Sequence, residues 1–136
     1  MANKIRLDIV TPDRMVYSED VNMVIARGTD GDLGILPGHV PLIAGLDIWP
    51  LRIQKGESEE LLSLLGGFIE VRPQKVTILA SCAELPEEID AKRAEAAKER
   101  AEFRLKNAQD IDVQRAEVAL KRAIVRLKVV QTHKSV

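Results

Sequence analysis

The hydrophobic period of this chain changes at Pro86, and that change restricts it to a two-part architecture. Before Pro86, apolar residues come in short runs or alternations broken by Gly, Pro and Asp. After it the chain is Ala-rich and charged, with apolar positions three and four apart and no further Gly or Pro. The first pattern is that of short strands and the second that of helices. We therefore expect a β body over residues 1–86 and a helical tail over 87–136. Such a tail is not a core element of the body, so its expected task is contact with something else.

Within the body, Ile5, Leu7 and Ile9 alternate with Arg6 and Asp8, the period of a half-buried strand. Thr11-Pro12-Asp13-Arg14 reads as a turn, with proline presetting φ. Further segments are expected over 15–17, over 21–26 with Val21, Met23 and Ile25 on one face, and over 33–36, 40–44, 48–53, 61–65, 68–71 and 76–80. Short strands with turn signals between them indicate an all-β sandwich or barrel of about 8–10 strands. Only 3% of the residues are aromatic, too few to fill a wide barrel, so two packed sheets are favoured. Gly66-Gly67 inside a strand-like run marks a bulge or a close backbone approach.

In the tail, Ala94, Ala97, Ala101, Leu105 and Ala108 share one helical face. Residues 107–110 break the pattern, and Asp110 or Asp112 is suited to cap a second helix. There Val113, Ala116, Leu120, Ala123, Leu127 and Val130 form a narrow seam. Two such helices joined by a short link predict an antiparallel two-helix hairpin. Burying a methyl-sized group contributes about 0.8 kcal/mol against roughly 1.5–3 for a Leu, Val or Ile, so the Ala-rich first helix is expected to hold its neighbour modestly.

Charge divides the chain the same way. The net value is −1, composed of −4 up to Pro86 and +3 beyond it. Over 113–136, Arg115, Lys121, Arg122, Arg126, Lys128 and Lys134 face only Glu117, which suits an acidic partner. Nucleic acid is not expected, because stacking aromatics are scarce and the net charge is slightly negative. Cys82 is the single cysteine, which rules out an internal disulfide or thiolate cluster and reads as a small core residue. His39 and His133 are the only histidines, and no nucleophile triad, metal-ligand cluster or phosphate loop is present. No catalytic residue and no metal ligand is expected. The opening MANKIRLDIV lacks a secretory pattern, and no apolar run reaches the ~20 residues that span a bilayer. The expectation is a protein facing the cytosol, without membrane insertion.

The run Gly31-Asp32-Leu33-Gly34-Ile35-Leu36-Pro37-Gly38-His39-Val40-Pro41-Leu42 closely resembles the signature of the epsilon subunit of bacterial F-type ATP synthases. Ile9-Val10-Thr11-Pro12 is similar to that family's opening strand and turn, and Gly66-Gly67-Phe68-Ile69-Glu70-Val71 to its Gly-Gly-x-x-Glu-Val segment. Arg115-Ala116-Glu117 and Ala119-Leu120-Lys121-Arg122-Ala123 look like its helical domain. The resemblance implies a non-catalytic rotor subunit of the central stalk, peripheral on the cytoplasmic face of the bacterial cell membrane. Its sandwich would bind the gamma subunit and the membrane c-ring, with Gly31, Gly34, Leu36, Pro37, Gly38, His39 and Pro41 in the docking region. Its helices would fold down on the sandwich or extend along gamma to restrain hydrolysis by the alpha and beta subunits, with Arg115 and Lys121 meeting acidic segments.

The resemblance also implies a nucleotide site. Ile89-Asp90-Ala91-Lys92-Arg93-Ala94 fits the Ile/Leu-Asp-x-x-Arg-Ala motif of epsilon subunits that bind ATP, and Glu84, Arg100, Arg122 and Arg126 match further positions. ATP would be a regulatory ligand, with no cofactor required. The alternative is a sandwich adapter with a rigid helical tail, in which Asp90 only caps a helix and the arginines make surface ion pairs.

Overall fold

The structure, a computed structural model, describes residues 3–107 and 112–134. Its strands are β1 (Ile5–Val10), β2 (Met15–Val21), β3 (Met23–Gly28), β4 (Gly31–Ile35), β5 (Leu42–Ile48), β6 (Leu51–Lys55), β7 (Ser58–Val71), β8 (Lys75–Ala80) and β9 (Ala83–Glu84). A single 3-10 turn at Pro86–Glu88 leads to helices α1 (Ala91–Lys106) and α2 (Val113–Lys134). This is the expected sandwich followed by two helices.

The long strand β7 joins the two layers. Its first half pairs with β6 through Leu51↔Leu62 to Lys55↔Ser58 and with β9 through Ser63↔Glu84. Its second half lies between β5 and β8, through Ile69↔Ala44 and Ile69↔Ile78. One layer therefore runs β2-β1-β8-β7-β5, with β1 and β8 parallel, and the other brings β4, β3 and β6 against the start of β7. The segments expected over 61–65 and 68–71 are one continuous strand. The change of partner occurs beside Gly66 and Gly67, whose φ values are +87° and +146°. A Cβ on Gly67 would lie 2.2 Å from the Leu79 carbonyl oxygen. The glycine pair is thus a close backbone approach, with positive φ where a side-chain-bearing residue is strained.

Alternation places the core. Ile5, Leu7 and Ile9, then Ile69 and Val71, then Val76, Ile78 and Ala80 point inward and are buried with Leu51, Ile53, Leu62 and Leu64. In β3 the structure buries Val24 and Ala26 and leaves Met23 and Ile25 half-exposed, while Val21 is buried, so these three do not share the one face expected for them. Val21 belongs to β2, and Asn22 separates the two strands, so their alternations are independent. Met23 instead lies over Gly34, with its Cε 3.0 Å from where a Cβ there would stand.

The tail's two helices pack on one another, and α2 also packs across β7. Arg104 near the end of α1 borders the same groove as residues at the start of α2, so the helices run antiparallel. Asp90 caps α1, accepting the Arg93 N–H at 3.1 Å, and Asp112 caps α2, accepting the Arg115 N–H at 3.1 Å. Ala94 and Ala101 are the buried residues of α1; Ala108 and Asp110 lie outside the described residues. In α2 the expected seam is too narrow. Ala116, Ala123, Leu127 and Val130 are buried, but so are Val125 and Val129 off that seam, while Val113 is exposed. These valines belong to a second apolar stripe. Ser63 and Leu65, outward positions on β7, are buried because α2 covers them.

Substitution of the two motif glycines should separate steric from conformational cost. Gly67→Ala meets backbone and is expected to lose roughly 3 kcal/mol or more in urea denaturation. Gly38→Ala has open space around it but needs φ +81°, and is expected to cost about 1 kcal/mol. Equal losses would contradict the close approach at β8.

Candidate functional site

The loop expected to dock is built by one turn. Leu36-Pro37-Gly38-His39 closes with the His39 N–H donating to the Leu36 carbonyl at 3.1 Å, and Gly38 has φ +81°. Proline at the second position and a positive-φ glycine at the third are what a type II turn requires. The Gly38 N–H then donates to the Pro73 carbonyl at 2.9 Å, tying the loop to the β7–β8 turn. His39 Nδ1 lies 2.7 Å from the Val40 carbonyl; a carbonyl only accepts, so Nδ1 carries the proton. Gly31 and Gly34 lie on β4, opposite Gly28 and Ile25. Gly31 (φ +137°) closes the β3–β4 hairpin around Thr29 and Asp30. Leu36, Gly38 and Pro41 are exposed; Pro37 and His39 are half-exposed.

Sequence reasoning missed the surface that continues this loop. Register sets Gly45, Phe68, Leu79, Val10 and Met15 side by side across five strands of one layer. Phe68 is 62% exposed and Leu79 56%, with Met15 similarly open. Ile43, two residues along β5, is 74% exposed, and Val40 is 70% exposed. Large apolar residues at adjacent outward positions form a patch of the kind that marks an interaction site. The legible signal was Phe68 and Leu79 at outward positions of strands whose inward residues are already apolar.

The nucleotide constellation is partly assembled. Glu84 Oε1 accepts from Ser63 Oγ at 2.9 Å and from Arg126 Nε at 2.7 Å, joining β7, β9 and α2. Burial works against the Arg126 cation, but hydrogen bonding and attraction to Glu84 outweigh it and raise its pKa. Cys82 lies in the same field: burial pushes its thiol pKa up, Glu84 adds to this, and Arg126 and Arg122 oppose it. Arg122 is exposed and shares a groove of about 900 Å³ with Arg104, Asp112 and Arg115. Ile89 is half-buried in the linker and Ala94 faces inward, whereas Arg93 and Arg100 are exposed on α1. The side chains of Arg93, Arg100, Arg115 and Arg122 make no hydrogen bond or ion pair among the described residues. Glu84 and Arg126 are thus joined, Arg122 lies near enough to act on Cys82, and Arg93 and Arg100 make no hydrogen bond or ion pair to them.

Lys121 is also occupied. Its Nζ donates to Asp47 Oδ1 at 2.6 Å, and this bond is the main cause holding the Asp47 pKa below the usual range, against an opposing burial effect. Arg14 pairs with Glu88, whose other oxygen accepts the Leu85 N–H at 2.9 Å, anchoring the linker to the β1–β2 turn. Among the described residues, no cluster of His, Cys, Asp or Glu is placed to hold a metal ion, and no helix is long and apolar enough to cross a membrane.

A sandwich with an apolar outer patch, carrying a basic hairpin pinned to it by ion pairs, is a two-part, β-then-α architecture. Family models for the beta-sandwich domain and the long alpha-helix domain of the ATP synthase delta/epsilon chain match residues 4–86 and 87–131. The chain is 57% identical over 105 residues to the ATP synthase epsilon chain of Alkalihalophilus pseudofirmus, covering 77% of this chain and 79% of that one. It is 58% identical over 100 residues to that of Pelotomaculum thermopropionicum, covering 74% and 75%. A chain of the Euglena gracilis mitochondrial ATP synthase shares the fold with TM-score 0.78 at 23% identity, covering 98% of this chain and 82% of that one. A chain of the Tetrahymena thermophila mitochondrial enzyme gives 0.57 at 18% identity, covering 96% of each. The chain belongs to the ATP synthase delta/epsilon-chain family, as a non-catalytic accessory subunit of the epsilon kind.

Glu84→Gln keeps the shape and an acceptor but removes the charge opposite Arg126. Urea denaturation should show a loss of about 1 kcal/mol, since both groups are only partly buried; an unchanged midpoint would mean the pair does not hold the tail. Asp47 gives a sign in pH. Its folded pKa is depressed, so its contribution is complete above the unfolded value near 4 and disappears as pH falls through the folded one. Hydrogen exchange of α2 should accelerate below about pH 4 in the parent and less in Asp47→Asn.

Proposed function

We propose that this chain is a central-stalk subunit of a bacterial F-type ATP synthase, peripheral on the cytoplasmic face of the cell membrane. The sandwich docks to the gamma subunit and to the membrane c-ring. The helical tail restrains ATP hydrolysis by the alpha and beta subunits when it leaves the sandwich. The observation that carries the docking part is the exposed apolar row Phe68, Leu79 and Met15, continued by Ile43 and Val40 toward the Leu36–His39 turn. Such a row has a reason to exist if another chain covers it. Support for the regulatory part is the weak inner face of α1 together with free basic side chains on α2, where several modest charge contacts act jointly on an acidic surface.

ATP is the regulatory ligand in this reading, held by the folded-down hairpin through Glu84, Ile89, Asp90, Arg93, Ala94, Arg100, Arg122 and Arg126. Free guanidiniums at Arg93, Arg100 and Arg122 suit phosphate oxygens. Binding confined to the folded-down state would stabilise it by about 1.4 kcal/mol at tenfold excess over Kd, a roughly tenfold shift in population. A competing reading, a tail without nucleotide, has one observation in its favour: Asp90 already spends an oxygen on the Arg93 N–H as a helix cap.

Two measurements test this. Co-purification with gamma, followed by ATPase assay with and without residues 87–136, should show association in both cases and faster hydrolysis without the tail. Calorimetric ATP titration of the isolated chain should show Arg93→Ala weakening binding about tenfold or more. Arg93 is the cleaner position, because Arg126→Ala also breaks the Glu84 pair. Titrations identical to the parent would remove the nucleotide role and leave the stalk assignment standing.

A further inference from the structure

The start of β7 is paired on one side only. Residues 58–62 face β6, whereas β9, the neighbour on the other side, begins opposite Ser63. After β9 the chain turns away, because Pro86 has no N–H to give a strand and the Pro86–Glu88 turn carries the linker off the sheet. The divergence leaves a cleft of about 800 Å³ between the β7 edge and the linker, closed at one end by Thr132 and His133 of α2. That volume is in the range of small-molecule sites.

The walls are of two kinds. Leu61, Leu85 and Pro86 supply apolar surface, and Glu57, Glu59, Glu60 and Glu87 supply carboxylates, with no Lys or Arg among the lining residues. Glu59 is paired with Arg52, but Glu57, Glu60 and Glu87 are in no ion pair among the described residues. The free strand edge adds backbone carbonyls, which are acceptors as the carboxylates are. Glu60, opposite Ile53, belongs to the inner face of β7, where Tyr17 lies. Tyr17 is 6% exposed, and its hydroxyl has no hydrogen-bond partner among the described residues. Burial raises the phenol pKa, and Glu60 and Glu19 add to it, so the hydroxyl faces both carboxylates and keeps its proton. Lys55 pairs with Glu19 and leaves Glu60 without a cation of its own. The inner wall of the cleft therefore holds an unpaired carboxylate beside a buried hydroxyl that the fold does not use, an arrangement that calls for a ligand.

Charge requires that ligand to be positive, and the spread of the carboxylates decides its kind. Among the described residues no three of them converge to hold a metal ion, and apolar side chains separate them. A flexible chain with several ammonium groups satisfies both conditions. Each ammonium only donates, and the methylenes between them cover apolar surface.

We propose that this cleft binds an aliphatic polyamine, with Glu57, Glu60 and Glu87 taking its ammonium groups and Leu61, Leu85 and Pro86 its methylenes. The site shares no residue with the nucleotide positions and takes a ligand of opposite charge, so it stands or falls separately from them.

The test is calorimetric titration of the full chain with spermidine at fixed ionic strength, beside a titration with magnesium chloride. One saturable site is expected for spermidine. Magnesium should bind about tenfold more weakly or worse, because a compact ion gains nothing from the apolar wall. Glu57→Gln and Glu87→Gln, both at exposed positions, should each weaken spermidine about threefold, and the pair about tenfold. Tyr17→Phe keeps the ring, removes the unpartnered hydroxyl, and should weaken spermidine about threefold. Spermidine should raise the Tm of the parent and leave that of the Glu57/Glu87 double variant where it was. Absence of a saturable site, equal affinity for magnesium and spermidine, or parent-like binding by the double variant would each overturn the proposal. ATP titration of the double variant should match the parent, which separates this site from the nucleotide reading.

Discussion

Position 67 is where β7 comes closest to β8, and the sandwich depends on that approach. The space a Cβ would need there is taken by the Leu79 carbonyl. With Gly66 also at positive φ, the chain can leave the β6 and β9 pairings and enter those of β5 and β8 without ending the strand. One continuous strand serving both layers fixes how they face each other, and so how Ile69 and Val71 meet the rest of the core. The same geometry sets Phe68, immediately after the pair, on the outer surface beside Leu79. A backbone constraint internal to the fold thereby positions the exposed apolar row.

The other end of β7 carries the tail. Its outward residues Ser63 and Leu65 would be half-solvated in an isolated sandwich, but α2 covers them. Burying a serine there requires a partner for its hydroxyl, and Glu84 supplies it. Glu84 in turn needs a cation, and Arg126 supplies that. The polar chain Ser63–Glu84–Arg126 is satisfied throughout, so it specifies where α2 sits as well as adding to its hold.

How much of this was legible depended on whether a signal was local. The switch of period at Pro86, the Asp90 and Asp112 caps, and the Pro37-Gly38 turn are written in adjacent residues and were readable. The face of β3 was misread because Asn22 resets the alternation, and only the pairing of Met23 with Gln54 reveals the break. The second stripe of α2 was missed for a related reason. Val125 and Val129 look like surplus apolar residues until β7 is known to lie against them. Of the nucleotide positions, the sequence aligned all eight with the family's pattern, but only three-dimensional packing separates the paired Glu84 and Arg126 from the exposed Arg93, Arg100 and Arg122. Asp47 carries no sequence signal for the tail at all, being 74 positions from Lys121.

The two helices are held by different physics, so they differ in how firmly they are attached. The buried residues of α1 are Ala94 and Ala101, and its only substantial packing is against α2. Methyl groups of that kind contribute about 0.8 kcal/mol each, so the inner face of α1 adds little to its hold on α2. Sealed Val125 and Val129 each add roughly 1.5–3 kcal/mol to α2, before its ionic contacts. Detaching α1 while α2 stays docked is therefore the cheaper excursion, and full release requires breaking the valine contact and the ionic contacts together. The tail's two helices are thus held by separable contacts, because one face was built from alanine and the other from valine and charge.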